Sequence, residues 1–161
     1  IILRYFNPVG AHISGLLGEN PKNINNLVPL ITQVANGKIP ELIVNGNDYP
    51  TRDGTCIRDY IHVSDIADAH VKAMVNLLNV NQNYNILNLG SGNGVSVLEM
   101  INTFEKATGQ KLNYKIGSRR PGDIAAIYSD SSLAERELGW KPKYSIEDMM
   151  LSAWKWQQNQ S

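Results

Sequence analysis

Residues 55–70 read TCIRDYIHVSDIADAH, and this stretch decides the class of fold. YIHV, residues 60–63, is β-branched and aromatic, which predicts a short strand. SDIADAHVKAMVNLLN, residues 64–79, follows with Ile66, Ala67, His70, Val71, Met74, Val75 and Leu78 at helical spacing. Ser64 is the expected N-cap. Asp65 and Asp68 fall in the first turn, where carboxylates complement the helix dipole. A strand that runs straight into a helix is half of an α/β unit.

The same stretch holds Asp59, His62, Asp65, Asp68 and His70, letters that suit a metal. The spacing does not: no CxxC, HExxH or EF-hand pattern occurs. The simpler expectation is helix caps plus a histidine, His70, packed on the apolar stripe. Arg58 follows a glycine-containing loop and precedes the strand. Its planar fork of donors could reach a bound anion, or it could pair with Asp59 or Asp53.

Working outward, strands and helices alternate. IILRYF predicts a strand that stops in a turn at Asn7-Pro8, and residues 9–25 form a long loop. NLVPLITQVANG reads as a helix through Leu27, Val28, Ile31, Val34 and Ala35 with Gly37 as its stop. ELIVNG, YNILNLG and KLNYKI read as strands. SVLEMINTFEKATG opens on a capping box, Ser96 to Glu99, and closes at Gly109. DSSLAERELG is a helix capped by Asp130 or Ser131, and SIEDMMLSAWKWQQ is a last helix capped by Ser145 and Asp148.

Composition excludes little and points to one ordinary domain of 161 residues, 42% hydrophobic. Fifteen basic and fifteen acidic side chains cancel, so bulk charge suggests neither nucleic acid nor an anionic membrane as partner. No apolar run approaches a membrane span. Cys56 is the lone cysteine, which suits a reducing, cytoplasmic compartment and simple packing. The chain opens within a buried-type strand that would sit in a larger parallel sheet.

Two further motifs carry phosphate-binding letters. NLGSGNGVSV places Gly90, Gly92 and Gly94 between a strand and a helix, as in a dinucleotide loop. Position 95, where the third glycine belongs, is Val95, and the next strand ends without an acid to hold a ribose, so a structural turn is the better reading. GSRRPGD, residues 117–123, concentrates two arginines in a Pro-Gly loop. It is either a solvated turn or, with Arg58, a pair of loops converging on one dianion.

LRYFNPVGAH, NNLVP, NGNDYPTRDGTCIRDYIHVSDIADAH, NLGSG, RRPGD, ELGW and WKWQ occur in this order. Together they resemble the C-terminal half of the UDP-glucose 4-epimerases, extended short-chain dehydrogenase/reductase enzymes. The resemblance covers essentially the whole chain. It implies an α/β fold, the C-terminal part of a Rossmann-type enzyme, with a mixed small sheet and helices forming the substrate domain. It also implies that residues 1–161 are the UDP-sugar-binding portion and that an N-terminal NAD-binding portion is absent from this chain.

The implied reaction interconverts UDP-glucose and UDP-galactose through NAD-mediated oxidation and re-reduction at C4, in a full-length homodimer. By resemblance Phe6 lies beside the nicotinamide, and Asn7 bonds the substrate. Asn26 and Leu27 touch the diphosphate and uridine, and Ile43, Val44 and Asn45 line the uracil. Arg58 and Arg120 clamp the diphosphate, and Asp123 meets the ribose. The family often carries an aromatic where Asn45 stands. Ile127 borders the hexose, or else is plain core beside Ala125 and Ala126. No Tyr-x-x-x-Lys pair occurs, so no catalytic residue is expected in this chain and no activity from it alone. Another nucleotide-sugar epimerase or decarboxylase, or a non-catalytic nucleotide-sugar-binding module, remain the alternatives.

Overall fold

The computed structural model describes residues 1–78 and 86–160. Asn79, and Tyr84 and Asn85 at the head of an expected strand, lie outside the described residues. Seven strands are described: β1 (Ile2–Tyr5), β2 (Asn7–Val9), β3 (Leu42–Asn45), β4 (Ile57–His62), β5 (Ile86–Leu89), β6 (Gly94–Ser96) and β7 (Tyr114–Gly117). The helices are α1 (Leu27–Ala35), α2 (Val63–Leu77), α3 (Val97–Thr108), α4 (Ser132–Leu138) and α5 (Ile146–Gln158).

β4 is the centre of a mixed sheet, parallel to β2 and antiparallel to β6. β1 pairs parallel with β5, and β3 with β7. The expected turn at Asn7-Pro8 is instead a bend at Phe6. There the chain leaves β5 and pairs with β4, and Pro8 is accommodated because β2 is an edge strand.

One core packs α1, α3 and α5 against β3 and β4 through Ile31, Leu42, Tyr60, Phe104, Met149 and Met150. Its aromatic contact is edge-on, Phe104 to Trp154 at 5.7 Å. A second core, around Leu87, Leu89, Ala134 and Trp140, lies under α2 and α4. Local signals were reliable where a cap is local. Both capping boxes, Ser96–Glu99 and Ser145–Asp148, are formed, and Gly109 ends α3 in the left-handed region at φ 71°. The long segment after β2 is pinned by α5. Lys155 Nζ donates to Ile13 O, Asn159 Nδ2 to Gly15 O and Trp156 Nε1 to Glu19 O.

The start of α2 corrects the sequence reading. Ser64 lies within the first turn, and His62 is the cap: its Nδ1 accepts the Ser64 amide at 3.0 Å. Asp65 is buried and does not cap its own helix. It accepts the backbone amides of Lys143 and Tyr144, tying the α4–α5 connection to α2. Asp68 reaches Lys72 and Lys143. His70 is exposed, its Nδ1 against Ile66 O, rather than packed in a core. The expected apolar stripe is also displaced: α2 buries Ala69 and Ala73, while Val71, Met74 and Leu78 are exposed.

Because His62 Nδ1 accepts the Ser64 amide, the neutral ring carries its proton on Nε2 and donates it to Ser152 Oγ, 3.1 Å away. Ser152 Oγ also accepts the Ala11 amide and donates to Met149 O, so every polar atom is matched. Burial holds the imidazole below its ordinary value of 6.5. Asp65 and Asp148 oppose that shift, and His12 adds to it. A second proton would also displace the helix cap. The stability that neutral His62 contributes is complete above pH 6.5 and is lost as pH falls through the lower folded value. Denaturant unfolding followed from pH 7 down to about 5 should show this loss. It should be shallower in His62→Asn, which keeps a capping side chain but does not titrate; identical slopes would contradict the assignment.

Candidate functional site

Side chains on β4 alternate between two environments. Ile57, Asp59 and Ile61 face one way, while Cys56, Arg58 and Tyr60 face a pocket of about 350 Å³. β2 supplies its floor through Asn7, Pro8 and Val9, the head of α1 contributes Asn26 and Leu27, and β3 contributes Leu42 to Asn45. The loop after β7 closes it with Arg120 and Asp123. Phe6, Asn7, Asn26, Leu27, Ile43, Val44, Asn45, Arg58, Arg120 and Asp123, distant in sequence, thus line one cavity.

Ile127 stands apart. It is 42% exposed, outside the pocket lining, and its amide donates to Ile57 O. It is not core. Cys56 and Tyr60 are lining residues that the sequence reading passed over. Extending the strand's alternation back from Tyr60 through Ile57 to Cys56 would have placed both on the face of Arg58. Burial pushes the Tyr60 phenol far above its ordinary value of 10, so it stays a neutral hydroxyl.

The two adjacent arginines take different roles. Arg119 stacks on Tyr49, 4.3 Å from the ring centroid, and pairs with Asp48. The Arg120 guanidinium has no hydrogen-bond or ion-pair partner among the described residues, and it lines the pocket. Arg58 pairs with neither Asp59 nor Asp53. Its Nη1 donates to Ile57 O at 2.8 Å and Ile124 O at 2.7 Å, and its Nη2 lies 3.4 Å from Asp123 Oδ1. Two carbonyls thus hold the head in place, and Nε keeps an unused donor among the described residues. β3 lines the same pocket from Leu42 to Asn45, its side chains alternating between the buried core, Leu42 and Val44, and the exposed face, Ile43 and Asn45. The pocket therefore combines two guanidiniums with residues of β3 in one lining, a combination that suits a ligand joining an anion to a ring.

The glycine loop does something else. Asp59, fully buried, accepts the Ser91 amide at 2.8 Å, Ser91 Oγ at 2.6 Å and the Gly92 amide at 3.1 Å. It also accepts the Ser129 amide at 2.9 Å and Ser129 Oγ at 2.6 Å. The loop amides at Ser91 and Gly92 that could grip a pyrophosphate are spent on the protein's own carboxylate. Among the described residues, no group of three or more His, Cys, Asp or Glu side chains could hold a metal ion.

The profile of the GDP-mannose 4,6 dehydratase family matches residues 1–152. A UDP-glucose 4-epimerase of Cyamopsis tetragonoloba is 55% identical over 161 residues, covering 99% of this chain and 46% of the relative. A UDP-glucose 4-epimerase structure from Stenotrophomonas maltophila, with NAD and formylated UDP-arabinopyranose bound, superposes with a TM-score of 0.93 at 54% identity. The match covers 98% of this chain and 47% of that one. The Bifidobacterium longum enzyme in complex with NAD+ and UDP superposes at 0.92 with 53% identity, again over 98% and 47%. The chain spans about half the length of the relatives it matches.

A side-chain carbon at Gly90 would overlap Asp59 Oδ2 and Ser129 Oγ. Gly90→Ala should therefore cost about 1–3 kcal/mol of stability, the usual penalty of overpacking, read as a lowered urea midpoint. An unchanged midpoint would mean that the loop does not rest on Asp59.

Proposed function

The chain belongs to the GDP-mannose 4,6 dehydratase family, and we propose that it supplies the UDP-sugar-binding half of a UDP-glucose 4-epimerase. The observation that carries this reading is the single pocket that Arg58 and Arg120 line together with residues of β3. In it the diphosphate lies between the two guanidiniums and the uracil against Ile43, Val44 and Asn45. Asp123, with Oδ1 turned to Arg58, offers Oδ2 to a ribose hydroxyl. Asn7, Asn26 and Leu27 line the same cavity. Cations held in place without full pairing bind phosphate at little reorganisation cost.

NAD fits the described residues poorly. Among the described residues, the glycine loop at residues 90–94 is filled by Asp59, and Phe6 lines the pocket where a nicotinamide would meet it. The dinucleotide belongs, on this reading, to the length of the relatives that the chain does not span. The sheets support such a division. β1 and β5 form a parallel sheet of only two strands, with Ile2 49% and Tyr5 48% exposed, and parallel sheets are normally covered on both faces. The uncovered face of α2, with Val71 and Met74, lies on the same side as Tyr5, whose ring is 5.9 Å from that of His70. A homodimeric, cytoplasmic enzyme completes the proposal. No described helix is long and apolar enough to cross a membrane.

Arg58→Ala and Arg120→Ala in the complete protein should each weaken UDP binding by about 1.5–3 kcal/mol, roughly tenfold to a hundredfold, measured by calorimetry. Wild-type affinity in both variants would remove the clamp.

Ile127 sits beside the pocket rather than in it. We assign it to the hexose side, where its branched chain crowds a 2-acetamido group. Ile127→Gly should then raise kcat/KM for UDP-N-acetylglucosamine relative to UDP-glucose by about tenfold. An unchanged ratio would show that it gates nothing.

A further inference from the structure

We propose that Asp59 is a positioning residue for the diphosphate: without touching ligand, it holds in register the segment that carries Arg120 and clasps Arg58. The proposal rests on the reading of Arg58 and Arg120 given above. Residues 120–129 run alongside the start of β4 as a strap, with a parallel bridge between Ile57 and Ala126. At one end, the Asp123 amide donates to Arg120 O at 3.2 Å, closing the turn that presents Arg120. In the middle, the Ile57 amide donates to Ala125 O at 2.8 Å and the Ile127 amide to Ile57 O at 3.1 Å. Ile124 O takes the Arg58 Nη1 proton at 2.7 Å. At the other end, the Ser129 amide and hydroxyl both bind Asp59 Oδ2, at 2.9 and 2.6 Å. Asp59 and Arg58 are neighbours on opposite faces of β4. One therefore anchors the strap from behind, while the other is clasped by it in front.

The strap has few other attachments. Ile124, Ala126, Ile127 and Tyr128 are exposed, so burial contributes little to its placement. Asp59 itself is fully buried with five donors on its two oxygens, a geometry that an amide cannot reproduce. In Asp59→Asn the carboxamide NH2 would meet the Ser91 amide head on at the Oδ1 position, or the Gly92 and Ser129 amides together at the Oδ2 position. With the NH2 at Oδ2 the strap is released at Ser129 and held to β4 only at Ile57, so that Ile124 O and Asp123 hold the Arg58 head less firmly.

The test uses the complete protein, with UDP and uridine titrated calorimetrically into the parent, Asp59→Asn and Ser129→Ala, and folding checked by urea midpoint. The parent should bind UDP at least about a hundredfold tighter than uridine, since the diphosphate meets two guanidiniums. Asp59→Asn should lose about tenfold or more of that preference while uridine binding holds within about twofold. Ser129→Ala removes one donor and leaves the backbone bond. It should lose about threefold with the same selectivity, and it decides the matter if Asp59→Asn does not fold. Full preference retained in the folded variants, or equal loss of UDP and uridine, would overturn the positioning role. A parent with no preference for UDP would overturn the underlying diphosphate reading instead.

Discussion

A carboxylate that leaves water must recover its hydrogen bonds inside the protein, and Asp59 recovers five. Burying such a charge unpaired costs several kcal/mol. Each charge-assisted bond returns about 1.5–3 kcal/mol. The bonds offset that cost only when the donors are in place, so Asp59 acts as a specification as much as a source of stability. It requires Gly90 to lack a side chain, Ser91 and Gly92 to turn their amides inward, and residues 125–129 to lie along β4. Three segments distant in the chain meet at one side chain.

On the other face of β4 from Asp59, Arg58 and Arg120 line a pocket in a neutral domain. Of the neighbouring cations, Arg119 is neutralised by Asp48 and stacked on Tyr49, and Arg52 is paired with Glu99 across the loop to α3. Arg58 is steadied mainly by carbonyl oxygens, with one long contact to Asp123, and Arg120 is unpaired among the described residues. Carbonyls fix the direction of a guanidinium without cancelling its charge. On the proposed reading, an incoming phosphate meets positive charge already oriented, in a pocket that β3 also lines. The relatives solved with UDP or a UDP-sugar bound share this fold at TM-scores of 0.92 and 0.93.

How much of this was legible in the sequence depended on how far each signal reaches. The helices α3 and α5 were readable because Ser96 with Glu99 and Ser145 with Asp148 are local pairs. β2 and β6 were not, because three-residue strands exist only through pairing with β4. The helix α2 was recognised but turned to the wrong face. Its buried side carries Ala69 and Ala73, small residues that allow close approach, whereas Val71, Met74 and Leu78 face outward and dominate any count of hydrophobicity. His62 displaced Ser64 as cap because a histidine nitrogen can accept as well as a hydroxyl. The pocket residues were named from resemblance, and all but Ile127 line one cavity. The role of Asp59 was invisible, since Ser91 and Ser129 lie far along the chain and carry no spacing that signals a partner.

The central claim is that this pocket holds a nucleoside diphosphate between Arg58 and Arg120. A crystal structure of the complete protein with UDP tests it most directly. The account predicts diphosphate oxygens hydrogen-bonded to both guanidiniums, with the uracil beside Ile43, Val44 and Asn45 and the Asp59 bonds intact. UDP ordered elsewhere, or phosphates held by Arg119 while Arg120 points to solvent, would contradict it.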